Sequence, residues 1–151
     1  MDAGECGFID LMKKVEEEGF THEVQMFLSV LLPKSLVTSA MNLLYQEATI
    51  KCFIAKTSRR VYWTVLSKSH NYVVFSDQNT KFCSCLAFSN YVIKKGQFPF
   101  CKHVLTVLIC EALRKKGETS QFSVEEIDDD IFKTNLAVVT FNSNFKATNK
   151  K

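Results

Sequence analysis

Four residues of two chemical kinds stand in two close pairs. Cys83 and Cys85 flank a single serine, and Cys101 and His103 flank a single lysine. Thiolate sulfur and imidazole nitrogen are the donors that a structural zinc ion gathers, four at a time in a tetrahedron, with Zn–S near ~2.3 Å and Zn–N near ~2.0–2.1 Å. Residues two apart in an extended strand point to one side, so a short strand carrying Cys83 and Cys85 can aim both at one ion. Cys101 is expected at the mouth of a helix and His103 in its first turn, where unpaired N–H groups stabilise a thiolate. The fifteen residues between the pairs leave room for a short helix and a turn that bring them together. A redox dithiol is the rival reading of Cys83 and Cys85, but it leaves Cys101 and His103 without a role. The expectation is one structural Zn2+ held by all four. Four protein ligands leave no open position for water, so such an ion does not generate a nucleophile.

The remaining cysteines and histidines fall outside this set. Cys110 lies seven residues past His103, roughly 10 Å along a helix, and reads as core. Cys52 alternates with Phe53 in a strand and reads as packing. Cys6 is expected in a loose N-terminus, His22 in a first helical turn and His70 in a turn.

The elements that must position the site follow from periodicity. Phe8, Leu11, Met12 and Val15 recur at helical spacing, and Gly19 is a stop signal. Thr21 can cap a second helix over residues 22–32. Pro33 suits the first turn of a third, over residues 33–48, with Leu36, Ala40, Leu43 and Leu44 as its buried stripe. Then β-branched and aromatic residues take over. Residues 49–56, 60–67 and 72–76 read as three antiparallel strands joined by polar turns, with Val61, Trp63 and Val65 on one face and Tyr62, Thr64 and Leu66 on the other. A turn at 77–80 leads into the cysteine-bearing strand. A short helix over 86–95 follows, and a longer one runs from near Cys101 to Gly117, with a basic last turn that complements the helix dipole. Ser123 and Glu126 form a capping box for a helix over 124–136, and one further strand is expected near the end of the chain. The fold class is α+β.

The net charge of +3 in 151 residues hides a segregation. Residues 1–50 carry three basic and eight acidic side chains, residues 51–116 twelve basic and two acidic, and residues 117–151 four basic and six acidic. A basic middle between acidic ends suits a polyanion or an acidic protein. Arg59, Arg60, Lys81, Lys94, Lys95 and Lys102 are the candidate contacts, with Tyr91 and Phe98 as candidate stacking surfaces. No apolar run reaches the length of a membrane span. The acidic N-terminus lacks the apolar stretch of a secretory signal, which with clustered cysteines points to a reducing compartment, cytosol or nucleus. There is no glycine-rich phosphate loop and no nucleophile–base pair at motif spacing, so an enzyme is not expected. Apolar residues of the first two helices (Met12, Met26, Phe27, Leu28, Leu31, Leu32) are enough to leave a surface for a partner.

The Cys-x-Cys and Cys-x-His pairs behind a β-hairpin resemble the SWIM-type zinc-finger family. The stretches "SRRVYWTVL", "YVVF" and "FCSCLAFSNYVIKKGQFPFCKHVLTVL" are similar to the small SWIM-domain subunits of the Shu complex, over roughly residues 50 to 115. The resemblance implies three segments: an N-terminal helical region (1–48), the SWIM zinc finger (49–116), and a C-terminal helix and tail (117–151). It implies zinc ligation by Cys83, Cys85, Cys101 and His103, and packing of the finger's first helix by Ala87 and Phe88. It further implies a non-enzymatic nuclear adaptor of recombinational DNA repair. Such an adaptor pairs with a RecA-like recombinase paralogue and promotes recombinase filaments on single-stranded DNA, with no small-molecule substrate. An independent nucleic-acid-binding module and a ubiquitin-ligase accessory are the alternatives; against the second, only Cys110 follows His103 as a further zinc donor. One departure stands: Leu86 occupies a position where that subfamily often has proline.

Overall fold

The structure is a computed structural model that describes residues 3–76, 81–96 and 100–138, with side chains left out at 3–6 and 47. The expected turn at 77–80, Phe98 and the expected strand beyond residue 138 lie outside these. Three helices come first: α1 (Ala3–Glu18), α2 (His22–Leu31) and α3 (Lys34–Asn42). Gly19 ends α1 at φ 90°, a left-handed conformation that costs glycine nothing. Thr21 caps α2 by accepting from the Val24 N–H at 3.3 Å, as its hydroxyl allows. Beyond α3 the helix widens into a π-helical turn, Leu43–Glu47. There the neighbours Leu43 and Leu44 are both buried. Cys6, expected in a loose terminus, lies on the helical backbone of α1.

The sheet runs β1 (Ala48–Ala55), β2 (Val61–Ser67), β3 (His70–Ser76), β4 (Lys81–Cys83) and β5 (Ser123–Ile127), in the spatial order β4-β3-β2-β1-β5. The first four pair antiparallel, while β5 lies parallel to β1. Between β4 and β5 come a short π-helical finger helix, Phe88–Lys94, and the long α4, Lys102–Lys116. Gly117 closes α4 at φ 94°.

The sheet separates two apolar layers. The larger core lies between one face and helices α1 to α4, and holds Trp63, Val65, Leu28, Leu105 and Ile109. A smaller one on the other face gathers Tyr62, Val73 and Ala55 around Phe132, which belongs to the helix over 129–138, here α5. With cover on both faces, β2 is buried continuously from Tyr62 to Val65.

The capping box expected at Ser123 and Glu126 does not form. Residues 123–127 extend instead and pair with Lys51–Ala55, because that edge of β1 carries backbone groups that need partners. The acids then serve the hairpin. Asp129 accepts from the N–H groups of Thr57 and Ser58 at 2.8 and 3.0 Å, and Glu126 pairs with Arg59 at 2.9 Å. Arg59 sits in that turn at φ 60°, an unusual conformation for a residue with a Cβ.

Candidate metal centre

Strand β4 stops at Cys83, and Cys85 lies beyond it, so the strand geometry expected for the pair is not how they converge. The residue between them does the turning. Ser84 exchanges two bonds with the backbone of Val73 on β3: its N–H donates to the Val73 carbonyl at 3.1 Å, and its hydroxyl accepts the Val73 N–H at 3.0 Å. Cys83 is thus held in register opposite Val74, while the chain swings Cys85 into the mouth of the finger helix. No spacing rule points to Ser84; it is a small hydroxyl residue at a strand end, and its partner is eleven residues upstream.

Cys85 and Cys101 play equivalent parts. Each precedes a helical segment, and each sulfur accepts a backbone N–H three residues on, from Phe88 at 3.3 Å and from Val104 at 3.5 Å. Both thiols therefore face N-terminal N–H groups, which favour the anion. His103 in the first turn of α4 brings its Nδ1 to 4.0 Å from the Cys101 sulfur. Its ring lies 4.1 Å from that of Tyr72, tilted by 31°. Tyr72, legible in the sequence only as a strand residue, packs its ring against the imidazole. It shares a sheet face with Val74, two residues on, which packs in the larger core and lies opposite Cys83.

The ligand atoms of Cys83, Cys85, Cys101 and His103 lie within 4.8 Å of one another, and all four residues are buried. A tetrahedron with ~2.3 Å Zn–S bonds has sulfur–sulfur edges of about 3.8 Å, so the donors need only a small closing movement. Their electrostatics fit the same cation. Three thiols this close cannot all ionise among themselves. Contacts from Cys101 and Cys83 hold the Cys85 thiol far below its ordinary value, whereas burial, with the contacts to Cys101 and Cys85, holds Cys83 well above it. Cys101 is pushed up to about 12: the contact with Cys83 lowers it, but the contact with Cys85 and burial outweigh that. A divalent ion removes the conflict by taking all three as thiolates. Four buried protein donors in a closed set match one structural zinc.

Elsewhere the expectations divide. Cys52 and Cys110 are core residues, and burial raises Cys52 to about 12. Phe88 is buried, forming a T-shaped contact with Phe82 at 6.0 Å, but Ala87 is exposed. His70 opens β3 and is no turn residue. Of the candidate contact residues, Arg59 is tied to Glu126. Arg60, Lys81, Lys94, Lys95 and Lys102 are exposed, with no acidic partner among the described residues. Tyr91 is exposed, with the Lys95 ammonium 5.0 Å from its ring centre. In the first two helices Leu28 and Leu32 are buried, whereas Met26, Phe27, Val30 and Leu31 are exposed.

The chain is 31% identical over 80 residues to zinc finger SWIM domain-containing protein 7 of Homo sapiens, a stretch covering 53% of this chain and 55% of that protein. The chain thus spans about half the length of the curated relative it matches. No family model matches the sequence, and no solved structure matches it. The homologue is a SWIM domain-containing zinc-finger protein, and the buried cluster of Cys83, Cys85, Cys101 and His103 fits the single zinc site of such a finger.

Proposed function

We propose that this chain is a non-enzymatic adaptor of homologous recombination in the nucleus, in which zinc serves as a folding staple. It pairs with a RecA-like recombinase paralogue, and the pair promotes or stabilises recombinase filaments on single-stranded DNA. The observation that carries the reading is the closed, buried set of four protein donors at the junction of β4, the finger helix and α4. An ion with four protein ligands keeps no position for substrate or water, so its contribution is to shape and stability. The similarity to a SWIM domain-containing protein supports the same assignment. In chemical terms, zinc joins the sheet end to the first turn of α4 and presents a basic surface for assembly.

Co-expression with a RecA-like paralogue followed by native mass spectrometry tests it. The expected result is one zinc per chain in a stable heteromeric complex. A well-folded, zinc-free chain that ignores every such paralogue overturns it.

A further inference from the structure

No acidic residue occurs from Gln78 to Cys110. The acidic ends of the chain fold back on the basic middle, but selectively. Lys56 and Arg59 meet Asp128 and Glu126 at 3.5 and 2.9 Å, and Lys115 and Lys116 meet Glu16 and Glu118 at 3.3 and 3.2 Å, while Arg114 meets the middle's own Glu111. The lysines of the finger receive no such partner among the described residues.

The same short segment also exposes apolar side chains. The finger helix buries Phe88 and half-buries Val92, which leaves Ile93 outward at 66% exposure, with Leu86 exposed at 54% just ahead of the helix. A phosphate backbone gains from lysine and a base gains from an aromatic face, but neither gains from leucine or isoleucine. A protein surface gains from both kinds, since each aliphatic side chain taken out of water adds hydrophobic stabilisation. Charge selects which protein.

We propose that the finger's outer face, Leu86 and Ile93 with the neighbouring Lys94, Lys95 and Lys102, docks an acidic, apolar-bearing segment of a partner protein. The proposal deepens the adaptor reading and rests on it: it places the partner on the finger rather than on α2. The α2 stripe around Val30 is also exposed, but Lys14 and Glu23 pair with each other at 3.2 Å, which leaves the single Lys34 near its end against three lysines on the finger. Zinc then matters to assembly directly, because two of its ligands, Cys85 and Cys101, immediately precede Leu86 and Lys102 of the finger's outer face.

The test uses the full, zinc-loaded chain co-expressed with a RecA-like paralogue, and compares hydrogen exchange in the complex with that of the chain alone. Exchange over residues 86–95 is expected to slow at least tenfold in the complex. Ile93→Asp, and separately the combined Lys94→Glu, Lys95→Glu and Lys102→Glu, should cut complex yield at least tenfold while keeping one zinc per chain and the parent's melting temperature. Glutamate at the first position of α4 suits the helix dipole, so the fold is not at risk there. Parent-like assembly by these variants overturns the proposal, as does loss of the complex with Val30→Asp alone. Absence of any complex with the parent chain refutes the adaptor reading instead. The face is then judged with two labelled probes of equal charge, a helical peptide of patterned glutamate and leucine and an oligo-dT. Tighter binding of the peptide, lost in Ile93→Asp, supports the proposal. Tighter binding of oligo-dT, or of neither, overturns it.

Discussion

Replacing His103 with alanine separates a metal centre from a merely well-packed cysteine cluster. A structural zinc site contributes roughly 10–16 kcal/mol in finger peptides at neutral pH, and one of four ligands stands for about a quarter of it, roughly 2.5–4 kcal/mol. The lost ring contact with Tyr72, 4.1 Å between centres, adds roughly 0.5–1.5 kcal/mol. The sum, about 3–5.5 kcal/mol, compares with about 5–15 kcal/mol for a whole domain. For a chain of this size each kcal/mol moves the melting temperature by about 2–4 °C, so a fall of about 6–22 °C is expected. Circular dichroism melts read it, while elemental analysis and the rate of zinc transfer to a chelator read the metal. Cys110→Ala is the control, since Cys110 is as buried as the ligands but is no member of the cluster. It should cost about 0.5–3 kcal/mol, the ordinary range for a single substitution, and keep its zinc. The reasoning is refuted if His103→Ala holds one zinc as slowly exchanging as the parent's and melts within about 2 °C of it.

Three further outcomes follow from other parts of the fold. Phe132→Ala should cost about 3–5 kcal/mol in chemical denaturation with zinc content unchanged, because Phe132 anchors α5 on the face of the sheet away from the metal. Asp129→Ala should speed amide exchange at Thr57 and Ser58, its two donors. The Thr57 N–H above all holds that carboxylate below its ordinary value, so the stabilisation is present above about pH 4 and is lost as pH falls through the folded value. Thiol labelling of the native protein at pH 8 should leave Cys52 and Cys110 unmodified, since burial raises both thiols far above that pH. They should react only on unfolding; modification in the folded state would contradict the core packing described for β1 and α4.

The ligand set was legible in the sequence, because metal chemistry is written in residue type and short spacing. So were the helix ends at Gly19, Thr21 and Gly117, where one residue's own φ or hydroxyl decides the matter. Tertiary structure decided what involved distant partners. Residues 123–127 carry a sound local helix start, yet they became a strand because the open edge of β1, some seventy positions away, offered backbone partners that a capping box could not match. Cys85 left the strand because Ser84 found the backbone of Val73. The basic residues paired with acids and those left unpaired do not differ in kind by sequence; only the fold brings Glu126 to Arg59 and Asp128 to Lys56, while the finger's lysines meet no acid among the described residues. Local chemistry thus set the donors of the metal centre, and long-range pairing set the surface around it.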